Sequence, residues 1–231
     1  VCASAEYTPS VTFPVKPGCV DYTNVAAFET ETGKTGEAKK TVRVCGPVDS
    51  GALTIGYWQN KNGQKIITDG ASTAKVCNSG TWLRGFAPFQ DLSATATCAQ
   101  VATYVTNVIK SANAGGAAMN AMLKAQMLAT ALDVYFSDPA LGGNKIGAPK
   151  PLGGQKIDLT KVCKNIPSCT TLENTSAAFG GATSLTVSQI LTYAASKSNA
   201  GGTTWYGQVK ATQELAKDTF DAINNEVAFE P

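Results

Sequence analysis

Near its start the chain alternates apolar and polar residues along two stretches. In "CVDYTNVAAFETE", Val20, Tyr22, Ala26 and Phe28 alternate with Asp21, Thr23 and Glu29, the period-two pattern of a half-buried strand. A turn is predicted at "TGKTGEAK", after which Thr41, Val42, Arg43 and Val44 resume the alternation. The two runs predict an antiparallel hairpin that brings Cys19 and Cys45 close together. A third candidate strand precedes them, with Val11, Phe13 and Val15 alternating with polar residues and Pro14 demoting the run to a sheet edge. Three strands fall short of the roughly seven of an immunoglobulin-like sandwich. The expectation is that further strands lie upstream or that another chain supplies them.

After Gly46-Pro47 the periodicity changes to helical. A short helix is predicted from Tyr57 to Ile67, interrupted by Gly63, and then an irregular apolar loop containing Trp82, Leu83, Phe86 and Phe89. From Thr95 to Ala112, Val101, Tyr104, Val105, Val108 and Ile109 mark one buried helical face, stopped by Asn113 and Gly115-Gly116. The run "AAMNAMLKAQMLATALDVYFS" is apolar nearly all round and reads as the central helix. Pro139 to Gly154 has no periodicity and reads as a long loop, while "QKIDLTKVC" fits a short strand or a turn of helix. Val187, Ile190, Leu191 and Ala194 mark another helix, with Ser184 or Thr186 as N-cap and Gly201-Gly202 as stop. Trp205, Val209, Thr212, Ala216, Phe220, Ile223 and Val227 mark the last, started by Thr203 or Thr204; Lys210 with Glu214 and Lys217 with Asp221 are spaced to pair on its outer side.

The predicted class is therefore α+β. Residues 1–50 form a partial, immunoglobulin-like antiparallel β-sandwich and residues 51–231 a mainly α-helical domain of about five helices. Charged residues make up only 16% of the 231 and the net charge is +2, without the basic patch a nucleic-acid partner would need. No apolar run approaches the roughly 20 residues of a membrane-spanning helix. The seven cysteines are spread singly, with no histidine in the chain, which favours disulfides over a metal site and a secreted, extracellular location. Proximity suggests Cys19 with Cys45, Cys77 with Cys98 and Cys163 with Cys169. Cys2 is left for a partner upstream, for a neighbouring molecule or as a free thiol.

The absence of histidine removes most hydrolytic machinery, and no catalytic residue, cofactor or metal site is assigned. Among carboxylates, Asp133 stands out on the most apolar helix, with Asp138, Asp158 and Asp91 as conceivable partners in glycoside cleavage; capping or pairing with lysine is the simpler account. Two aromatic and amide clusters, Tyr57-Trp58-Gln59-Asn60 and Trp205-Tyr206 with Gln208, have the composition of sugar-stacking sites. Each lies near a predicted helix start, where core anchoring is the commoner role. The sequon Asn174-Thr175-Ser176 is too short a pattern to identify a source.

The pattern "CVDYTNVAAF…KTVRVCG" resembles the closing strands of immunoglobulin-like repeats in large bacterial secreted and surface proteins. The segments "LTIGYWQNKNGQKIIT", "FAPFQDLSATATC", "KAQMLATALDVYFSDPALGGNKIGAP" and "SNAGGTTWYGQVKATQELAKDTFDAINN" resemble an uncharacterised C-terminal domain that follows such repeats. The resemblance implies a cell-surface structural protein and supplies no catalytic residues. The expected role is that of a self-associating filament subunit joined through an edge at Val11, Phe13, Val15, Val42 and Val44, with Cys2 as an intermolecular tie, or of an adhesive module. The competing class is a carbohydrate-binding protein or carboxylate-based glycosidase acting on surface polysaccharide, with Tyr57, Trp58, Trp205, Tyr206 or Trp82 at the sugar.

Overall fold

The structure, a computed structural model, describes residues 18–46, 50–114, 118–166 and 169–229, without the side chains of Cys19 and Cys45. Cys2 and the candidate edge residues Val11, Phe13 and Val15 lie outside the described residues.

Strands β1 (Gly18–Glu29) and β2 (Thr35–Gly46) form an antiparallel hairpin of 12 residues a side. The turn is shorter than its composition suggests. Thr30 and Lys34 close it, Gly33 adopts a left-handed φ of +75°, and β2 begins within the segment read as turn. Cys19 and Cys45 sit opposite each other in the register, as the alternation requires. Neither strand pairs with a third among the described residues, so the β region is a hairpin rather than a sandwich there.

The rest is helical with small sheets. In chain order the helices are α1 (Ile55–Gln59), α2 (Lys61–Thr68), α3 (Asn78–Leu83), α4 (Cys98–Ala112), α5 (Met119–Ser137), α6 (Val187–Ser196) and α7 (Lys210–Asn224). Between them run β3 (Ser72–Thr73) paired with β4 (Val76–Cys77), β5 (Lys156–Asp158) with β8 (Ser184–Thr186), and β6 (Val162–Cys163) with β7 (Leu172–Glu173), all antiparallel. The count exceeds the five helices expected because α1 and α3, of five and six residues, are too short to show a period.

Helix α5 is central, as its all-round apolarity demands. Every residue from Leu123 to Ser137 is buried, with α4 and α7 packed along it and α1, α3 and α6 against it. Its polar residues bond across to α7. Asn224 Nδ2 donates to Gln126 Oε1 at 2.8 Å, and Thr130 Oγ1 donates to Asn224 Oδ1 at 2.6 Å.

Side-chain caps fix the helix starts. Thr97 with Gln100 opens α4 and Thr186 with Gln189 opens α6, each as a reciprocal capping box, which selects Thr186 over Ser184. The break between α1 and α2 falls at Asn60, not at Gly63. Asn60 ends α1 and its Oδ1 accepts from the Asn62 and Gly63 amides to start α2. Gly63 is instead a packing residue, where a Cβ would meet the Tyr57 carbonyl and lie 2.7 Å from Trp58 Cα.

Helix α7 starts later than predicted. Trp205 precedes a short 3-10 turn, Tyr206–Gln208, whose Gly207 has φ +59°, and Val209 is 54% exposed at the helix N-cap. Lys210 pairs with Glu214 at 3.5 Å, but Lys217 turns to Asp218, leaving Asp221 to accept from Gln126 Nε2 and Asn225 Nδ2. Two disulfides staple this part, Cys77–Cys98 with Cα atoms 4.8 Å apart and Cys163–Cys169 with 5.0 Å.

Candidate functional site

The register of the hairpin sorts its side chains onto two faces, because directly opposed residues share a side. One face carries Val20, Tyr22, Ala26 and Phe28 from β1 against Val44, Val42, Ala38 and Gly36 from β2, interrupted only by Asn24 opposite Lys40. The other is polar. There Asp21 faces Arg43 at 3.8 Å, Thr23 and Thr41 share a hydroxyl hydrogen bond of 2.9 Å, and Ala27 and Val25 oppose Glu37 and Lys39, which pair with each other at 2.7 Å. The apolar face grades from half-buried at Val20, Tyr22 and Val44 to open at the turn end. Phe28 is 63% exposed, its ring laid over Gly36 where a Cβ would collide, and Val42 is 45% exposed.

The two aromatic clusters behave differently from a sugar platform. Trp58 and Trp205 are both fully buried, so neither indole offers a face for stacking. The Trp58 indole nitrogen donates to Asp133 Oδ1 at 2.9 Å and its ring stacks on Phe136, 5.6 Å between centroids. The Trp205 indole nitrogen donates to the Gly202 carbonyl at 2.9 Å, while its own carbonyl accepts from Gln213 Nε2. Tyr57 packs half-buried edge-on to Trp58. Tyr206, at φ +50°, points a buried hydroxyl with no hydrogen-bond partner among the described residues, and burial raises its pKa. Trp58 and Trp205 thus anchor the core, the commoner role for such clusters, and the alternative of a sugar contact at these two indoles is corrected, while Tyr57 and Tyr206 stay half-buried beside them.

The carboxylates considered for glycoside cleavage are likewise engaged in structure. Asp133 is fully buried; desolvation holds its carboxyl well above the ordinary range against the opposing pull of the Leu53 backbone and the Trp58 N–H, and the charge of Glu226 adds to the rise. Among the described residues its Oδ2 has no hydrogen-bond partner, and the side chain has no solvent exposure. Asp138 accepts from the Ala140 amide, and Asp158 accepts from the Thr160 amide and hydroxyl. Asp91 receives Lys124 Nζ and the Tyr104 hydroxyl, each at 2.6 Å. That last knot was not foreseen, although a lysine within a helix otherwise apolar all round was the available signal for it. Among the described residues no cluster of three or more metal-ligating side chains occurs, and no helix is long and apolar enough to cross a membrane.

The chain matches no known protein family, no curated protein and no solved structure.

Proposed function

We propose that this is a secreted, disulfide-stabilised surface protein whose hairpin is the exposed part of an immunoglobulin-like sheet completed by strands from a second copy, making the protein a self-assembling structural subunit. The observation that carries this reading is the solvent-open apolar face at Phe28, Ala26 and Val42 on a hairpin whose opposite face is mostly polar, with Val25 and Ala27 set among charged and hydroxyl side chains. A two-stranded ribbon is marginally stable alone in water, and its free edges and apolar face favour added strands. The disulfides and low charge suit an extracellular assembly. The likeness to surface proteins with immunoglobulin-like repeats points the same way.

The test is a Phe28→Lys/Val42→Lys variant compared with wild type by light scattering and electron microscopy of the native secreted material. Wild type assembles and the variant remains monomeric with unchanged helical circular dichroism. Monomeric wild type at all concentrations, or assembly that survives the double substitution, would sink the reading.

A further inference from the structure

Trp82 is the tryptophan that stays at the surface. It lies at the end of α3, half-buried, edge-on to Phe86 at 5.0 Å and tilted 53° against Tyr135 at 5.4 Å. Beside it opens a concave pocket of about 570 Å³ whose lining residues carry no charge. Thr73, Asn78, Thr81 and Tyr135 contribute its polar groups, and Leu141, 40% exposed, contributes an apolar side.

These polar groups are left available to a ligand. Asn78 Oδ1 accepts from Thr73 Oγ1 at 2.9 Å, which fixes the amide, and its Nδ2 has no protein partner among the described residues. The Thr81 hydroxyl donates to the Cys77 carbonyl at 3.3 Å and keeps its lone pairs. Tyr135 is only 5% exposed, and its hydroxyl makes no hydrogen bond within the described residues. Burial raises the pKa of that phenol, which keeps it a neutral donor.

The walls are held in place. Ala74 at φ +50° and Lys75 at φ +70° form the tight turn between β3 and β4, two left-handed residues without a glycine. Such backbone is costly and persists where its surroundings over-determine it. Here the Cys77–Cys98 disulfide follows directly and ties the turn to α4. On the opposite side the Gly142 N–H donates to the Tyr135 carbonyl at 2.9 Å, which holds the neighbouring Leu141 at the rim.

We infer that this pocket binds a neutral pyranose sugar of a glycan, with one apolar ring face against the Trp82 indole and the hydroxyls bonded by Asn78, Thr81 and Tyr135. A pyranose combines a C–H face with a rim of hydroxyls, matching an indole beside three uncharged hydrogen-bonding groups. A purely aromatic or aliphatic ligand would desolvate those groups without pairing them, a penalty that selects against it. An anionic sugar finds no cation in the lining.

The experiment is a glycan array carrying neutral glucans, mannans and galactans beside sialylated and uronic-acid glycans, probed with the full chain and followed by calorimetry on the best ligand. Wild type binds neutral glycans. Trp82→Ala abolishes binding and Trp82→Phe retains part of it, whereas Asn78→Ala, at a half-buried surface position, weakens it roughly two- to tenfold with an unchanged melting temperature. Absence of neutral-glycan binding, preference for acidic glycans, or binding unchanged in Trp82→Ala and Asn78→Ala would overturn the proposal. The Phe28→Lys/Val42→Lys variant keeps sugar binding, so failure of assembly and failure of this site are read separately.

Discussion

Replacing Asp133 by asparagine tests how the core handles the one wholly buried acid among the described residues. In the folded protein desolvation raises the carboxyl well above 3.8, outweighing the Leu53 and Trp58 contacts that favour the anion. Between the ordinary aspartate range and the raised native value, the folded chain therefore holds one proton more than the unfolded chain. The associated stability is fully present below the ordinary range and is lost as pH rises through the native value, at a limiting slope of about 1.4 kcal/mol per pH unit. Asparagine keeps the shape and the acceptor for the Trp58 N–H but cannot ionise. Urea unfolding of both proteins, followed by tryptophan fluorescence from about pH 4 to about pH 8, gives the difference in stability at each pH. Asp221, whose pKa burial also raises, bends both curves alike and cancels in the difference. The expected result is a gap that moves in favour of Asp133→Asn with rising pH, toward the limiting slope. Parallel curves would mean that the group is ionised in the folded state and would refute the reasoning.

Two further predictions concern the supports of the same core. Gly63→Ala gains about 1 kcal/mol of helix propensity, but its Cβ meets the backbone of Tyr57 and Trp58, which cannot yield as a flexible side chain would; overpacking costs of about 1–3 kcal/mol should leave the variant less stable, and a raised urea midpoint would contradict the close approach of α1 and α2. Removing Cys77–Cys98 by paired serine substitution opens a crosslink between residues 21 apart and should cost about 3 kcal/mol, roughly 1 kcal/mol more than removing Cys163–Cys169, whose partners are 6 apart; equal melting-temperature losses would argue against loop closure as the source.

The elements that the sequence foretold are those in which one residue pattern runs long enough to repeat. Helix α5 declared itself through 19 residues without a polar face, and β1 through its alternation. Boundaries set by a single side chain were misread. Gly63 resembles a helix stop, whereas the break belongs to Asn60, whose side chain caps α2 while its backbone ends α1. Trp205 continues the apolar stripe of α7 in projection, but Gly207 and the turn around it detach the indole and send it into the core. Burial of the aromatics was the favoured expectation at both clusters, but the local pattern could not decide it. An indole near a helix start reads the same locally whether it faces a sugar or a neighbouring helix, and only tertiary packing buried Trp58 and Trp205 while leaving Trp82 beside a pocket.

The two regions also differ in how completely they cover their apolar residues, and that difference bears on function. In the helical region the large side chains Trp58, Trp205, Phe89, Phe136 and Phe220 are fully buried, and the exposed large apolar residues Leu141, Leu172 and Val209 stand singly at separate places in the chain. In the hairpin the alternation leaves Phe28 and Val42 open on a face whose only polar pair is Asn24 with Lys40, while the other face is mostly polar apart from Val25 and Ala27. Random exposure of single apolar residues is ordinary on protein surfaces, but sorting them by period across two strands in register is not. A one-residue slip would mix Asp21, Thr23 and Glu29 into the apolar face, so the register is what keeps that face largely apolar. What covers it must be apolar and compatible with a twisted two-stranded ribbon, and another β-sheet meets both conditions, packing face to face at about 10 Å. The proposed assembly would meet both conditions with a second copy of the same hairpin.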